Sequence, residues 1–209
     1  GHAKQDCEQV AAKRWIERQA GRYQQVTILG DDLYCKQPFC ALLLDNGFNF
    51  ILVCKPDSHK TLYEWIATLE AAGDLPHWSI RRWNGRFHEV HTYRYANDVP
   101  VRKGEDALWV NWCELTITKA TDGTIRYRNA FATKHPLDRT SVEAVVQAGR
   151  ARWNIEHANH HTLTTQGDHL EHHDGHGQQH LSAVLLTLNL IALLCHTGLG
   201  WVDPQYHLV

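Results

Sequence analysis

Two short apolar runs set the tightest limit on how this chain folds. Val26 to Leu29 and Phe48 to Cys54 are rich in β-branched and aromatic residues. Neither alternates strictly with polar residues, so each reads as a strand covered on both faces, as in a parallel sheet. Between them lies Gln37 to Asp45, a short helix with Pro38 in its first turn and Asn46-Gly47 as its stop. Over residues 5 to 19, Val10, Ala11, Trp15 and Ile16 recur at helical spacing, and Gly21 ends that segment. A further helix follows the second run, capped by Asp57 or Ser58 and reaching about Ala72. Helix, strand, helix, strand, helix over residues 5 to 72 is an α/β pattern with a largely parallel sheet.

The pattern changes near Leu75. Trp78 to Trp83 and Arg86 to Tyr95 flank Asn84-Gly85, a strong hairpin signal, and Leu108 to Thr118 and Thr124 to Thr133 flank a turn around Asp122-Gly123. This stretch reads as an all-β insertion, which divides the chain into 1–74, 75–135 and 136–209. Helix returns near Thr140 or Ser141, with Glu143 close to its start, and continues past Glu156. A polar, His-rich linker over roughly 165 to 179 leads to an apolar helix from about Gln179 to His196. Its apolar run contains Ser182, Thr187 and Asn189 and is shorter than the roughly 20 residues a membrane span needs. It reads as a core helix, and no membrane association is expected.

Composition narrows the class. At 209 residues with 43% hydrophobic and 21% charged residues, the chain is long and apolar enough for a real core. A net charge of -2 means that any DNA-binding surface is local. The β-rich stretch supplies one candidate, with nine Lys and Arg against six Asp and Glu between Trp78 and Ala130. No two of the six Cys form a C-x-x-C pair, which argues against a zinc ribbon. Cys35 and Cys54 lie in or beside apolar segments, as reduced core thiols of a cytoplasmic protein would. No signal peptide opens the chain. With no Met and a Gly1-His2-Ala3 start, it reads as a fragment or an excised domain.

Two places could carry chemistry. Asp31 and Asp32 directly follow the first apolar run, and α/β folds place their sites at the carboxyl ends of such strands; Gly-Asp-Asp is also ordinary turn chemistry. Arg152 and Glu156 are four apart and share a helical face, which a plain surface ion pair would also explain.

Taken together, Leu29-Gly30-Asp31-Asp32-Leu33-Tyr34, the β-rich stretch and Arg152-Trp153-Asn154-Ile155-Glu156 resemble the DDE transposases of bacterial insertion sequences. The resemblance covers essentially the whole chain, including His-Leu-Glu-His at 169 to 172 and the apolar helix after it. It implies an RNase H-like fold, here incomplete at its N-terminus and interrupted by the β insertion. It implies Mg²⁺, with Mn²⁺ as a substitute, held by three carboxylates for in-line attack on a phosphodiester. Asp31 maps to the second carboxylate and Glu156 to the third, with Asp32 the runner-up to Asp31 because the register rests on Tyr34. Arg152 would contact DNA phosphate or orient Glu156. The partners implied are transposon ends and target DNA, with a homodimer on paired ends, in a bacterial cytoplasm.

The departures from the family are specific. No residue before Asp31 fits the first carboxylate, since Asp6 lies in the expected N-terminal helix, and the first three strands of the sheet have no counterpart. The strand at 26 to 29 would therefore present an unpaired edge. Gly149 stands where relatives usually carry a Tyr, and Leu163 or Thr164 where they carry a Lys. These features point to a truncated copy, inactive as it stands, with a DNA- or metal-binding remnant and a nuclease of the same fold as alternatives.

Two further groups stand out. Half of the 16 His fall between His157 and His180, a spacing that suits Zn²⁺ or Ni²⁺ and equally a polar linker. Arg81, Arg82, Arg86 and Arg94 are candidates for phosphate contacts, with Arg81 and Arg82 on opposite faces of a strand. Most of Trp78, Trp83, Trp109 and Trp112 read as the core of the β stretch.

Overall fold

A computed structural model describes residues 8 to 154. The chain divides between Arg150 and Ala151 into two compact units, and the architecture that follows is that of the first. It is mixed α/β. In chain order it comprises α1 (Glu8–Gln19), β1 (Thr27–Gly30), α2 (Gln37–Asp45), β2 (Asn49–Val53), a 3₁₀ turn (Pro56–Ser58), α3 (Lys60–Ala72), β3 (His77–Trp83), β4 (His88–Pro100), β5 (Trp109–Lys119), β6 (Ile125–Thr133) and α4 (Val142–Asn154).

The two apolar runs form the expected strands. β1 and β2 pair in parallel through the α2 crossover, with Gly30 opposite Leu52. The rest of the sheet runs the other way. All six strands form one sheet in the order β1-β2-β6-β5-β4-β3, and every pair other than β1–β2 is antiparallel. The sheet is therefore mixed, not largely parallel as the repeating helix–strand pattern implied. The β-rich stretch continues the sheet, because β6 pairs with β2 from Ile51↔Thr133 to Val53↔Phe131. The boundaries expected near 75 and 135 both fall inside the first unit.

The two hairpins form at their turn signals. Asn84 Oδ1 accepts the N–H groups of Arg86 and Phe87, and Gly85 sits at φ +94°. Asp122 does the same for Thr124, with Gly123 at φ +71°. Both glycines adopt the left-handed backbone that a side chain disfavours.

β2 is buried on both faces. Phe50 and Leu52 point to a core shared with Ile16 of α1, Leu43 of α2, Leu62 and Ile66 of α3, and Trp112 of β5. Ile51 and Val53 point to the opposite core, with Phe131, Leu115 and the Val142, Val145 and Val146 face of α4. Helices thus cover both faces of β2, which explains its unbroken apolar sequence. Neither Asp57 nor Ser58 caps α3. The residue before α3 is His59, which makes no side-chain cap, and Ser58 is engaged elsewhere. α4 is prepared by Asp138, whose Oδ1 accepts from the N–H and hydroxyl of Thr140 and the N–H of Ser141. Among the described residues, no helix is long and apolar enough to cross a membrane.

Gly149 lets α4 approach the sheet. A Cβ there would lie 2.7 Å from the Phe131 ring and 3.0 Å from Ile51, both buried. Gly149→Ala is therefore expected to destabilise the protein by about 1–3 kcal/mol through overpacking. Urea denaturation would show this as a lower midpoint at unchanged slope, and an unchanged midpoint would mean that α4 sits less tightly. A second expectation concerns pH. The hydrogen bonds from Thr140 and Ser141 hold the Asp138 carboxyl down to about 2 from its ordinary 3.8. A lowered carboxyl stabilises above its unfolded value and loses that effect as pH falls through its folded value. Asp138→Ala should therefore lower the melting temperature at neutral pH, and its deficit should shrink as pH falls from 3.8 toward about 2.

Candidate functional site

The parallel β1–β2 pair places its two carboxyl ends side by side, and the loops that leave them meet. Gly30 makes this close, since a Cβ there would lie 2.7 Å from Leu52 Cδ2. The chain turns at once: Tyr34 N–H donates to the Asp31 carbonyl (3.2 Å) and Cys35 N–H to the Asp32 carbonyl (3.3 Å).

Within this turn the two carboxylates are used differently. Asp31 is half-buried, and its Oδ1 accepts the Leu33 N–H at 2.9 Å. Asp32 reaches across to the loop after β2. Its Oδ1 accepts the Lys55 N–H at 2.8 Å, and its Oδ2 accepts the Ser58 hydroxyl. His59 Nε2 stands 3.3 Å from Asp32 Oδ1 without the geometry of a hydrogen bond. Asp32 is thus a clamp between two loops, and Asp31 is the carboxylate with an oxygen not engaged among the described residues. Tyr34, the residue that set the register, packs on Phe39 at 4.8 Å between ring centres and donates its hydroxyl to Glu8 of α1.

Behind this turn lies a group that sequence reasoning took for plain core. Cys35, Cys54 and His59 are all buried, and the two sulfurs and one ring nitrogen of His59 lie within 4.8 Å of one another. Cys40, also buried, adjoins Cys35. Hydrogen bonds from the Cys40 and Cys54 thiols, with His59 beside them, hold the Cys35 thiol well below its ordinary range. The same bonds, together with burial, push Cys40 and Cys54 up. Cys113, alone in the opposite core, is pushed up by burial.

The remaining candidates are scattered. Arg82 on β3 pairs with Glu143 in the first turn of α4, so Glu143 holds a strand rather than capping its own helix. Arg81 is exposed, and strand alternation puts it on the opposite face of β3. Arg86 is exposed in the hairpin turn. Arg94 is committed to Glu114, which also takes Arg128 at 2.9 Å, and to Glu70 of α3. A buried carboxylate between two guanidiniums does not release them lightly. Arg152 lies in the last turn of α4, 5.5 Å from the Trp153 ring. Of the four Trp expected mostly as core, Trp112 is fully buried and Trp78 half-buried, while Trp83 and Trp109 are exposed. Trp109 makes an edge contact with the exposed Trp65 of α3. Glu156, the His157–His180 group and the apolar helix near 179 to 196 lie outside the described residues.

No family model matches the chain, and no curated protein matches it.

The division between the two aspartates has a measurable consequence. Asp32→Ala leaves the Lys55 N–H and Ser58 hydroxyl without their acceptor and is expected to lose about 1–3 kcal/mol of stability. Asp31→Ala removes one turn contact and should fall within about 0.5 kcal/mol of the parent. Thermal denaturation of the two variants side by side checks this, and equal losses would contradict the division.

Proposed function

We propose that this chain is part of a DDE transposase of bacterial insertion sequences, with an RNase H-like core in which Asp31 and Glu156 are two of the three metal-binding carboxylates. The observation that carries this reading is the setting of Asp31. It sits immediately beyond the carboxyl end of a strand in the parallel pair, with one carboxylate oxygen not engaged among the described residues, while its neighbour Asp32 is used up as a clamp. This favours Asp31 over Asp32 for the family's second-Asp motif. The sheet order supports the same reading. β1 pairs only with β2 among the described residues, and an RNase H-like sheet pairs that strand on its other side as well.

Carboxylate oxygens suit Mg²⁺ or Mn²⁺, and such a pair of ions activates the attacking water or 3′-hydroxyl and stabilises the leaving oxygen. On this reading, the protein cuts insertion-sequence ends and joins them to target DNA, working as a homodimer on paired ends. Arg152 and the exposed Arg81 and Arg86 are the cations assigned to phosphate. Arg82 is the least suited of the candidates, because Glu143 holds it.

A second reading, a non-catalytic DNA- or metal-binding remnant, is favoured by Gly149. The family's usual Tyr cannot fit there against Phe131 and Ile51.

Mn²⁺ titration followed by electron paramagnetic resonance tests the reading. Asp31→Asn and Glu156→Gln should each weaken Mn²⁺ binding at least about tenfold, while the exposed Asp57→Asn leaves it unchanged. If neither variant alters Mn²⁺ affinity, the shared carboxylate site is wrong. Mn²⁺ binding without strand cleavage of DNA, even when the missing carboxylate is supplied on a longer chain, would favour the remnant.

A further inference from the structure

Two equal spacings converge behind the Asp31–Asp32 turn. Cys35-x₄-Cys40 runs from the loop after β1 into the first turn of α2, and Cys54-x₄-His59 runs from the end of β2 to the start of α3. Close-spaced ligand pairs contributed by two separate segments are how structural zinc sites are built. Here the fold brings the pairs together because β1 and β2 are parallel and in register at Gly30↔Leu52, so the loops leaving them lie side by side.

We propose that Cys35, Cys54 and His59, with Cys40 as the fourth ligand, bind one Zn²⁺ as a closed structural site on the helical face of the sheet. The first three offer ligand atoms mutually within 4.8 Å, a spread that small side-chain rotations bring to a tetrahedral shell. Cys40 adjoins Cys35 and brings a third buried sulfur to the group. All four side chains are buried: Cys35 and Cys40 are 0% exposed, Cys54 1% and His59 3%.

Chemistry favours occupancy by a metal over simple packing. His59 is buried with one ring nitrogen within 4.8 Å of the sulfurs of Cys35 and Cys54. Asp32 Oδ1, 3.3 Å from His59 Nε2, is the kind of carboxylate that orients an imidazole whose other nitrogen, Nδ1, binds a metal. A divalent ion would draw the protons from the sulfurs that it binds. Sulfur and imidazole suit Zn²⁺ and not Mg²⁺. Complete burial leaves no open coordination position, so the role is structural and not hydrolytic. A disulfide is the poorer solution, since it would join two sulfurs and use neither the third nor the imidazole. The site would pin the loops after both parallel strands, and with them the turn that presents Asp31. It stands independently of the transposase reading.

The test uses the full 209-residue chain purified under reducing conditions. Zinc analysis should find one ion per chain retained through gel filtration. The Co²⁺-substituted chain should show tetrahedral ligand-field bands and a thiolate-to-metal charge-transfer band. Cys54→Ser should lose that band or weaken it severely, and Cys40→Ser should leave a weaker one. Asp31→Asn should change neither the zinc content nor the spectrum, which separates this site from the proposed Mg²⁺ site. The histidines between His157 and His180 can bind metal only through nitrogen, so His157→Ala with His161→Ala should leave the thiolate band intact. Stripping the zinc should lower the melting temperature, with recovery on adding Zn²⁺ and not Mg²⁺. A chain that is zinc-free when purified, and whose Co²⁺ form has no thiolate band, overturns the proposal. So does a native disulfide among Cys35, Cys40 and Cys54 found by mass spectrometry in chain purified without reductant and with its free thiols blocked. If Cys54→Ser does not fold, the zinc content and Co²⁺ spectrum of the unmutated chain decide the matter.

Discussion

Everything in the first unit is organised by the pairing of β2. This strand of five residues hydrogen-bonds in parallel to β1 on one side and antiparallel to β6 on the other. Among the described residues it is the only strand with both a parallel and an antiparallel neighbour, and its side chains feed both cores. The Thr133 hydroxyl donates to the Phe50 carbonyl at 2.6 Å, and Asn49 Oδ1 accepts the Lys134 N–H at 3.3 Å, so the junction is fastened by side chains as well as by the ladder. Each fully buried apolar side chain on such a strand contributes about 1.5–3 kcal/mol of transfer free energy. A strand that does this on both faces cannot carry a polar residue cheaply at any internal position, which is why Phe50 to Val53 is uniformly apolar.

The same junction separates two kinds of polar chemistry. Toward the antiparallel half, the buried Glu114 is neutralised by Arg94 and Arg128, and Arg94 reaches on to Glu70 and fixes α3 over β4 and β5. Toward the parallel half, Asp32 ties the first loop to the second through a backbone N–H, a hydroxyl and the neighbourhood of His59. Both devices hold helices and loops on one face of the sheet. They differ in what they leave over. The Glu114 cluster is closed and consumes its arginines, whereas the Asp32 clamp leaves Asp31 facing outward and three sulfurs facing inward.

Much of the fold was legible in the sequence, and the reasons are local. The helices announced themselves by 3.6-residue periodicity and by Pro38, Gly21 and Asn46-Gly47. The hairpins did so by Asn84-Gly85 and Asp122-Gly123. What local signals do not carry is which strands become neighbours. Ile51 and Thr133 are far apart in the chain, and no turn or period links them, so the joining of the β-rich stretch to β2 in one sheet was not legible. Exposure on a strand was misjudged for a related reason. Trp83 and Trp109 have the same composition signal as Trp112, but only the helices covering the sheet decide which aromatic is buried. The aspartate order could be ranked only by motif register, because the clamp that engages Asp32 comes from Lys55 and Ser58 on another loop. The cysteine cluster did leave a trace. The spacing Cys35-x₄-Cys40 with Cys54-x₄-His59 is visible, but a search for C-x-x-C passes over it and apolar flanks make each Cys look like filler.

On the two proposals together, the carboxyl-end loops would sort metal chemistry by hardness across a single peptide bond. In a turn that directly follows a strand, adjacent side chains leave in different directions, and Asp31 and Asp32 obey that rule: one faces outward, the other binds back into the protein. A hard, hydrated cation such as Mg²⁺ keeps several waters and needs an accessible carboxylate, which only the outward residue supplies. A borderline ion such as Zn²⁺ gains most from thiolate and imidazole ligands shielded from water, and these lie on the inward side. If the inner site fixes the loop, the position of Asp31 is set by packing and by ligand geometry rather than by the short turn alone. Positional accuracy is what a metal-binding carboxylate most needs, since a site held loosely by a surface turn loses its effect through small displacements. The buried cysteines, dispensable to any phosphodiester chemistry, would then matter to it by holding one aspartate still.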